Sequence, residues 1–201
     1  MRLYLPSFCA LAERSIEIQK LKKGDKAEFA RFIDLYKNRV FSTCVSFIPN
    51  RQDAEDLSQE VFIEVYSSIG SFKENAQLST WLYRIAVNKC LEELRRRKQL
   101  KRAAFFKGLL GIESEVFEIS GDRFDHPGFI AEHKEKASAL YHAIDSLPEN
   151  QRIAFTLTQI EGRSYDESSQ IMGNTKSSIE SLIFRARNNL RKKLEKHKKI
   201  I

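Results

Sequence analysis

Residues 53–66 read DAEDLSQEVFIEVY, and residues 80–98 read TWLYRIAVNKCLEELRRRK. In both stretches the apolar residues recur at three- and four-residue steps, which is the spacing of one face of an α-helix. The first helix carries a row of acids on another face. The second begins near Trp81 and ends in a run of arginine and lysine. A polar loop at 72–79 separates them, so one compact helical unit is predicted to present both an acidic and a basic surface.

Helical spacing extends through almost all of the periodic segments, and no convincing alternating strand pattern occurs. One further helix is expected over 26–48. Asn50 is placed to cap the acidic helix, with Asp53 in its first turn. The fold class that follows is all-α, with two small helical domains joined by a flexible linker. We expect an N-terminal extension at 1–25, a first domain at 26–100, a linker at 101–136 and a second domain at 137–198.

The second domain contains two sequences typical of helix starts. Residues 146–149 (SLPE) and 164–167 (SYDE) both have the capping-box pattern, and the first has proline in its first turn. The first box predicts a helix through Ile160, and the second predicts a short helix that ends at Met172 and Gly173. A longer basic helix follows. This order is a helix-turn-helix pattern, whose simpler alternative is a three-helix bundle with a basic surface.

The segments outside the two domains lack a sustained period. Residues 101–134 contain four glycines and one proline and are interpreted as the linker, in which Phe105, Phe106, Leu109 and Leu110 could form a short helix. Residues 1–15 are interpreted as a loose extension, consistent with an upstream start codon. Their apolar patch is too short for a signal peptide. The sequence has no run of eighteen apolar residues, so no membrane insertion is expected.

The composition favours binding over catalysis. A net charge of +7, with basic clusters at 95–102 and 185–199, favours a polyanionic partner. Cys9, Cys44 and Cys90 are odd in number and too widely spaced for a disulfide framework or a zinc site; we expect buried thiols in a reducing cytoplasm. The four histidines are scattered. We therefore expect no catalytic residue, no metal site and no cofactor.

Two candidate surfaces flank the polar loop. On the acidic helix, carboxylates and one amide could dock a basic partner, and the simpler alternative is a solvated face. These residues are Asp53, Asp56, Gln59 and Glu60, the last three at the centre. The other surface combines aromatic, basic and amide groups, as single-stranded DNA binding requires, although Trp81 and Tyr83 could instead pack in the core. Its members are Phe72, Lys73, Asn75, Trp81, Arg84, Asn88, Lys89 and Arg95.

A third candidate surface is the exposed side of the long C-terminal helix. In a helix-turn-helix this side enters the major groove, where arginine reads guanine and glutamate accepts a hydrogen bond from cytosine. The residues expected there are Lys176, Ser177, Glu180, Ser181, Phe184 and Arg185.

Together these motifs resemble the bacterial RNA polymerase sigma-70 family, in its extracytoplasmic-function (ECF) group, over nearly all of residues 20–196. Residues 53–62 are similar to the core-binding helix of the family's conserved region 2. Phe72 with residues 79–88 resembles its −10 element segment. Residues 147–152 resemble the opening of region 4, and residues 183–187 resemble the end of its reading helix. Four motifs in the family's order make the resemblance specific.

The resemblance implies roles for these positions. Asp56, Gln59 and Glu60 match the face that docks on the clamp helices of core polymerase. Phe72 and Asn88 match positions around the pocket that captures a base flipped from the −10 strand, and residues 73–79 match the specificity loop lining it. Region 4 is implied to read the −35 element, and the linker to run near the RNA exit path. The implied partners are the clamp and flap regions of core RNA polymerase, promoter DNA and an anti-sigma protein, in the cytoplasm.

Two departures from the family pattern concern −35 reading. The family often has arginine at two positions of its reading helix where this chain has Glu180 and Leu182. Glutamate cannot make the bidentate arginine contact with guanine, and it repels phosphates. We therefore expect a −35 preference unlike the family's commonest one, with Ser181 and Arg185 carrying more of the contact.

The function expected is that of a sigma factor, which binds core RNA polymerase and directs promoter recognition and DNA opening without being an enzyme itself. The first alternative is a stand-alone helix-turn-helix regulator that binds duplex DNA without polymerase. That alternative leaves the acidic helix and the Trp81 segment without a purpose. A second alternative is a basic helical adaptor for RNA or ribosomes, whose binding would show no sequence preference and would weaken steeply with salt. A metal- or thiol-dependent enzyme is the most distant alternative.

Overall fold

The computed structural model describes residues 16–48, 50–109 and 140–198, and throughout these ranges the regular secondary structure is helical, without strands. The N-terminal unit (residues 16–109) consists of α1 Ile18–Lys22, α2 Lys26–Phe47, α3 Arg51–Ser68, a 3₁₀ turn Ile69–Ser71 and α4 Leu78–Leu109. The C-terminal unit (residues 140–198) begins with helical residues 140–145. It continues with α5 Glu149–Phe155, a π-helical turn Thr156–Ile160, α6 Tyr165–Met172 and α7 Lys176–Lys198. The all-α class is confirmed.

Side-chain caps set most of the helix starts. The Asn50 side chain accepts a hydrogen bond from the Asp53 N–H at 3.0 Å, as expected. Ser164 and Glu167 form the predicted reciprocal capping box. The predicted box at 146–149 is wrong. Pro148 occupies the cap position of α5 and has no side-chain acceptor. Ser146 lies two residues before it, where its hydroxyl donates to the carbonyl of Ala143 in the preceding helical segment.

The core of the N-terminal unit lies between α2, α3 and α4. Tyr36 on α2, Val61 on α3 and Leu82 on α4, which belong to the predicted apolar stripes, are buried there. Phe32, which the stripe predicted for α2 did not include, is buried beside them. Cys44 and Cys90 are free and buried, as expected. Hydrogen bonding to Cys44, followed by burial, raises the pKa of the Cys90 thiol, which keeps it protonated and unreactive. Cys9 lies outside the described residues.

Both expected boundaries of the first domain differ from the structure. Residues 16–25 belong to the N-terminal unit rather than to an extension, because Ile16 and Leu21 are buried in its core. At the other end α4 continues to Leu109, nine residues past position 100, since no glycine or proline interrupts residues 101–107. Phe105, Phe106 and Leu109 therefore lie in α4, whereas Leu110, the rest of the expected linker and residues 1–15 lie outside the described residues.

In the C-terminal unit α5 and α6 pack against the long helix α7. Its predicted apolar side is buried at Ile179, Ile183, Ala186 and Leu190. The π-helical turn extends α5 to Ile160, so the end predicted for this helix is correct although its last turn is wider than an α-helix. None of the helices in the described ranges is long and apolar enough to cross a membrane.

Gly173 ends α6 in the left-handed conformation, with φ of 65°. An added Cβ would meet no atom within 4 Å, so the cost of Gly173→Ala would come from backbone strain alone. We expect this substitution to destabilise the C-terminal unit by about 1–2 kcal/mol, measured by denaturant unfolding. Gly70→Ala is the control, because Gly70 has neither positive φ nor a neighbour within 4 Å. Equal losses in the two variants would contradict this account.

The two units pack directly against each other. Ile153, Leu157 and Ile171 of the C-terminal unit share one buried cluster with the core of the N-terminal unit, including Val87 and Leu91 of α4. This apolar contact brings α5 and α6 against the side of α4 on which Arg84, Asn88 and Arg95 lie. It therefore decides which of the candidate surfaces are open to solvent.

Candidate nucleic-acid interface

The acidic face of α3, defined as Asp56, Gln59, Glu60 and Ile63, points away from both units. The three polar side chains are exposed, and Ile63 between them and Tyr66 is 68% exposed. A single exposed apolar side chain is also common on solvated faces, so its exposure is compatible with both interpretations of this face. Ile63 is a member of this face that the sequence pattern of acids did not indicate. The signal was available, because Ile63 falls outside the apolar stripe that α3 buries.

Asp53 differs from the other three predicted docking residues, because it is tied to α4. Its carboxylate lies 2.7 Å from Nη2 of Arg97, whose Nε lies 2.6 Å from Glu93. Burial of Arg97 acts to lower its pKa, but the hydrogen bonds to Glu93 and Asp53 outweigh that effect and the pKa is raised. The guanidinium therefore stays charged and joins the start of α3 to α4.

The basic run at 95–98 is largely paired. Arg96 makes two bonds to the Glu93 carboxylate, at 2.6 and 2.8 Å. Arg95 is paired in the same two-pronged way with Glu149 of the C-terminal unit. The hydrogen bonds from Arg95 lower the pKa of Glu149. In this arrangement the arginines face carboxylates, so DNA phosphates would have to replace those partners.

Phe72 and Trp81 form an aromatic pair at the two ends of the polar loop, with ring centroids 5.2 Å apart. Trp81 is half-buried against the core and Tyr83 is buried in it, as the alternative interpretation allowed for these two residues. Phe72 is buried as well. The loop itself spans 72–77, because α4 begins at Leu78 and includes Ser79. Lys73 and Asn75 are exposed on it. Lys89 points to the other side of α4, where its Nζ lies 3.6 Å from Glu64.

Arg84, Asn88 and Arg95 follow one face of α4, as their spacing predicted, and line a cleft of about 390 Å³ between the two units. The opposite wall is formed by α5 and the end of α6. Arg84 donates to the carbonyl of Gln170 at 2.6 Å and to that of Ile171 at 3.3 Å. These bonds satisfy the carbonyls near the C-terminus of α6, where positive charge is favoured. The basic side chain that is expected to meet DNA is therefore held by the helix-turn-helix.

A second polar contact joins the units behind this cleft. The Thr43 hydroxyl donates to Glu161 at 3.0 Å, and Arg163 pairs with the same carboxylate oxygen at 3.0 Å. The Arg163 guanidinium lies 3.6 Å from the centroid of the Tyr83 ring. Burial raises the pKa of Glu161, and Arg163 and Thr43 act against that rise. No local pattern predicts this contact, because Thr43 and Tyr83 lie far from Glu161 and Arg163 in the sequence.

The exposed side of α7 is as predicted. All six expected residues are solvent-exposed, and Phe184 is 67% exposed. Lys176 lies 3.0 Å from Asp166 of α6 and is partly neutralised by it. Leu182 is half-buried and packs against the Ile179 and Ile183 side. Of the two departures in this helix, only Glu180 therefore faces solvent fully.

Comparisons with known proteins identify both units. Residues 32–99 match the family Sigma-70 region 2, and residues 137–190 match the family Sigma-70, region 4. The chain is similar to the RNA polymerase sigma-H factor of Pseudomonas aeruginosa, with 31% identity over 189 residues, which cover 89% of this chain and 92% of that protein. It is similar to the ECF RNA polymerase sigma-E factor of Escherichia coli K12, with 32% identity over 180 residues and the same coverages, 89% and 92%.

Solved structures show the same fold. CnrH in complex with the cytosolic domain of CnrY has a TM-score of 0.62 at 20% identity, covering 92% of this chain and 97% of that chain. The sigma factor RpoE of Bartonella quintana, in complex with the anti-sigma factor NepR, has a TM-score of 0.57 at 24% identity, covering 84% and 97%. With both regions matched in order and relatives above 30% identity along most of its length, the chain belongs to the sigma-70 family of RNA polymerase sigma factors, in its ECF group.

Proposed function

We propose that this sigma factor binds the core of RNA polymerase through the acidic face of α3. The observation that supports the proposal is the exposure of Asp56, Gln59, Glu60 and Ile63 as one surface on α3. Ile63 would fill an apolar site on the basic clamp helices, and the acids around it would steer the encounter. Asp53 would contribute indirectly, by holding α3 against α4 through Arg97. The protein supplies recognition, and the polymerase supplies the chemistry.

The polar loop and α4 form the proposed −10 surface. Lys73 and Asn75 on the loop, with Arg84, Asn88 and Arg95 along α4, offer cations for phosphates and amides for base edges. Phe72 and Trp81 stand at the loop's ends as the aromatic wall on which a flipped base would stack. Phe72 is buried here, so its ring supports this wall from within. Lys89 faces Glu64 instead, and it would reach DNA only after leaving that partner.

Promoter binding requires the two units to separate. Arg84 and Arg95 are bonded to α6 and to Glu149, and Asn88 lines the cleft between the units. While α6 lies against α4, a DNA strand would have to displace these protein partners to reach the two guanidinium groups. The acidic face of α3 is open in the same arrangement. We infer that polymerase binds first and that the −10 surface is uncovered afterwards.

The exposed side of α7 is the proposed −35 surface, with flap contacts on the C-terminal unit. Phe184 is placed to meet a thymine methyl group, and Ser181 and Arg185 to meet base edges or phosphates. An anti-sigma protein is a further proposed partner. The similar structure of RpoE contains the anti-sigma factor NepR, and that of CnrH contains the cytosolic domain of CnrY. The expected location is the cytoplasm, where polymerase and promoters are.

Glu180→Arg is expected to change the preferred −35 bases. An arginine at this exposed position could bind guanine in a bidentate way, which is worth about 1–3 kcal/mol of discrimination. Base preference is measured by transcription from a library randomised at −35. Glu195→Arg is the control, because Glu195 is exposed on the same helix and the substitution changes the net charge equally. An unchanged −35 motif in the Glu180→Arg variant would contradict the assignment of this face.

The direct test is transcription by purified bacterial core polymerase on genomic DNA, with and without the protein, with RNA 5′ ends mapped. New discrete starts that share −10 and −35 motifs are the expected result. Failure to bind core polymerase, combined with tight palindromic binding to duplex DNA, would overturn the proposal and favour the stand-alone regulator.

A further inference from the structure

The short helix α1 contacts the −10 loop through polar side chains. Nζ of Lys22 lies 2.6 Å from Oε1 of Glu74, and Nε2 of Gln19 donates to the same oxygen at 3.2 Å. These bonds connect segments 52 and 55 residues apart in the sequence. Neither Gln19 nor Lys22 lies within the range that matches region 2, which begins at position 32. The loop expected to choose the −10 base is therefore joined to a helix upstream of the matched region.

Lys22 touches the loop at two places. Besides Glu74, its ammonium group lies 5.8 Å from the centroid of the Phe72 ring, within reach of a cation–π attraction. Glu74 itself has φ of 58°, the left-handed conformation that residues with a Cβ rarely adopt. A strained residue persists only where its surroundings hold it. Lys22 and Gln19 are the side chains that bond to its carboxylate in the described part of the chain.

The helix that carries these residues is itself firmly seated. Leu21 is 2% exposed in the core, and the backbone N–H of Glu17 donates to the buried carboxylate of Glu28 at 2.8 Å. The backbone N–H of Glu28 in turn donates to the cap residue Asp25. A fixed helix can therefore hold a loop in one conformation, which a flexible extension could not.

We propose that α1 sets the base preference of the −10 loop, with Lys22 and Gln19 as positioning residues that act through Glu74. The exposed side chains of the loop, Lys73 and Asn75, flank the held residue. Holding the backbone at Glu74 fixes the directions in which they point, and preorganised contacts discriminate better than mobile ones. The inference depends on the proposed −10 function, and it adds a determinant from outside the DNA-contacting residues.

The test uses the full-length protein with core polymerase on a promoter library randomised at −10. Lys22→Ala is expected to reduce discrimination between preferred and non-preferred −10 bases about two- to fivefold, in the range of a half-exposed ion pair. Discrimination at −35 should stay unchanged. Lys22→Arg, which keeps the cation, should restore the −10 preference. The control is Lys20→Ala, because Lys20 is on the same helix but pairs with Glu17.

The Glu74→Gly variant distinguishes the effect of the Lys22 and Gln19 bonds to the Glu74 carboxylate from the effect of the left-handed backbone at position 74. Glycine favours the left-handed conformation but removes the carboxylate, so it should lose discrimination as Lys22→Ala does, and the double variant should lose no more. A uniform fall in transcription with unchanged −10 preference, accompanied by a lower melting temperature, would overturn the inference and leave α1 a purely structural role. Absence of core-dependent transcripts from the wild type would instead overturn the proposed function itself.

Discussion

Crosslinking residue 95 to residue 149 is expected to abolish promoter-dependent transcription. The Arg95→Cys/Glu149→Cys variant would be treated with a bis-maleimide whose spacer contains a disulfide. The wild-type side chains are in direct contact across the closed cleft, so the spacer would hold α5 against α4 and keep the −10 surface covered. Transcription should fall about a hundredfold or more, because the binding-competent population is removed. Reducing the spacer should restore it, measured as run-off transcript from a cognate promoter.

Transcription by the crosslinked protein is compared with transcription by the same double variant before crosslinking. Both lack the Arg95 side chain, so its loss cannot cause the difference. Cys9 is replaced by serine in both, and Cys44 and Cys90 are buried and should escape the reagent. An Asp34→Cys/Lys37→Cys crosslink is the control. These residues pair one turn apart on α2, and bridging them leaves the units free to separate. Full activity of the crosslinked 95–149 protein would show that the −10 surface is reachable without opening.

Asp56→Lys is expected to weaken binding to core polymerase about a hundredfold, the size of a central interface substitution. The residue is exposed beside Glu60 and is bonded only by Gln52, at 3.3 Å, among the described side chains. The new cation would face the basic clamp helices in place of an anion. Affinity would be measured by fluorescence anisotropy of labelled protein titrated with core enzyme.

Asp34→Lys provides the matched comparison, because Asp34 is an equally exposed helical aspartate on α2. Its substitution makes the same change in net charge away from the acidic face of α3. A wild-type affinity of the Asp56→Lys variant for core enzyme would rule out the α3 assignment. Similar losses in both would show that overall charge, and not this face, governs the encounter.

Local patterns predicted the elements that local chemistry determines. The apolar stripes of α2, α3, α4 and α7 and the caps at Asn50 and Ser164 follow from spacing and from short-range hydrogen bonds. The cap predicted at Ser146 failed because α5 begins at Glu149, which places Pro148 and not Ser146 at the cap position. A capping-box sequence states which bond is available but not which one forms.

The contacts between the units could not be predicted from the sequence. Thr43 meets Glu161 across 118 positions, and Arg84 meets Gln170 across 86. Such bonds depend on how two folded surfaces fit, and no periodicity encodes that fit. For the same reason the basic run at 95–98 was predicted as a DNA contact, although the structure pairs its arginines with carboxylates. Composition gave the charge of the side chains but not their partners.

The bonds that hold Arg84 and Arg95 against the C-terminal unit would also affect how the protein searches a genome. A chromosome offers about 10⁶–10⁹ non-specific sites, and a permanently open basic surface would be occupied by them. With Arg84 and Arg95 bonded to the C-terminal unit, the apparent affinity of the free chain for random DNA would be multiplied by the fraction of molecules in which these bonds are open, and so lowered. On the proposed function, the unbound pool would then stay available for polymerase, and the search for promoters would be left to the assembled enzyme.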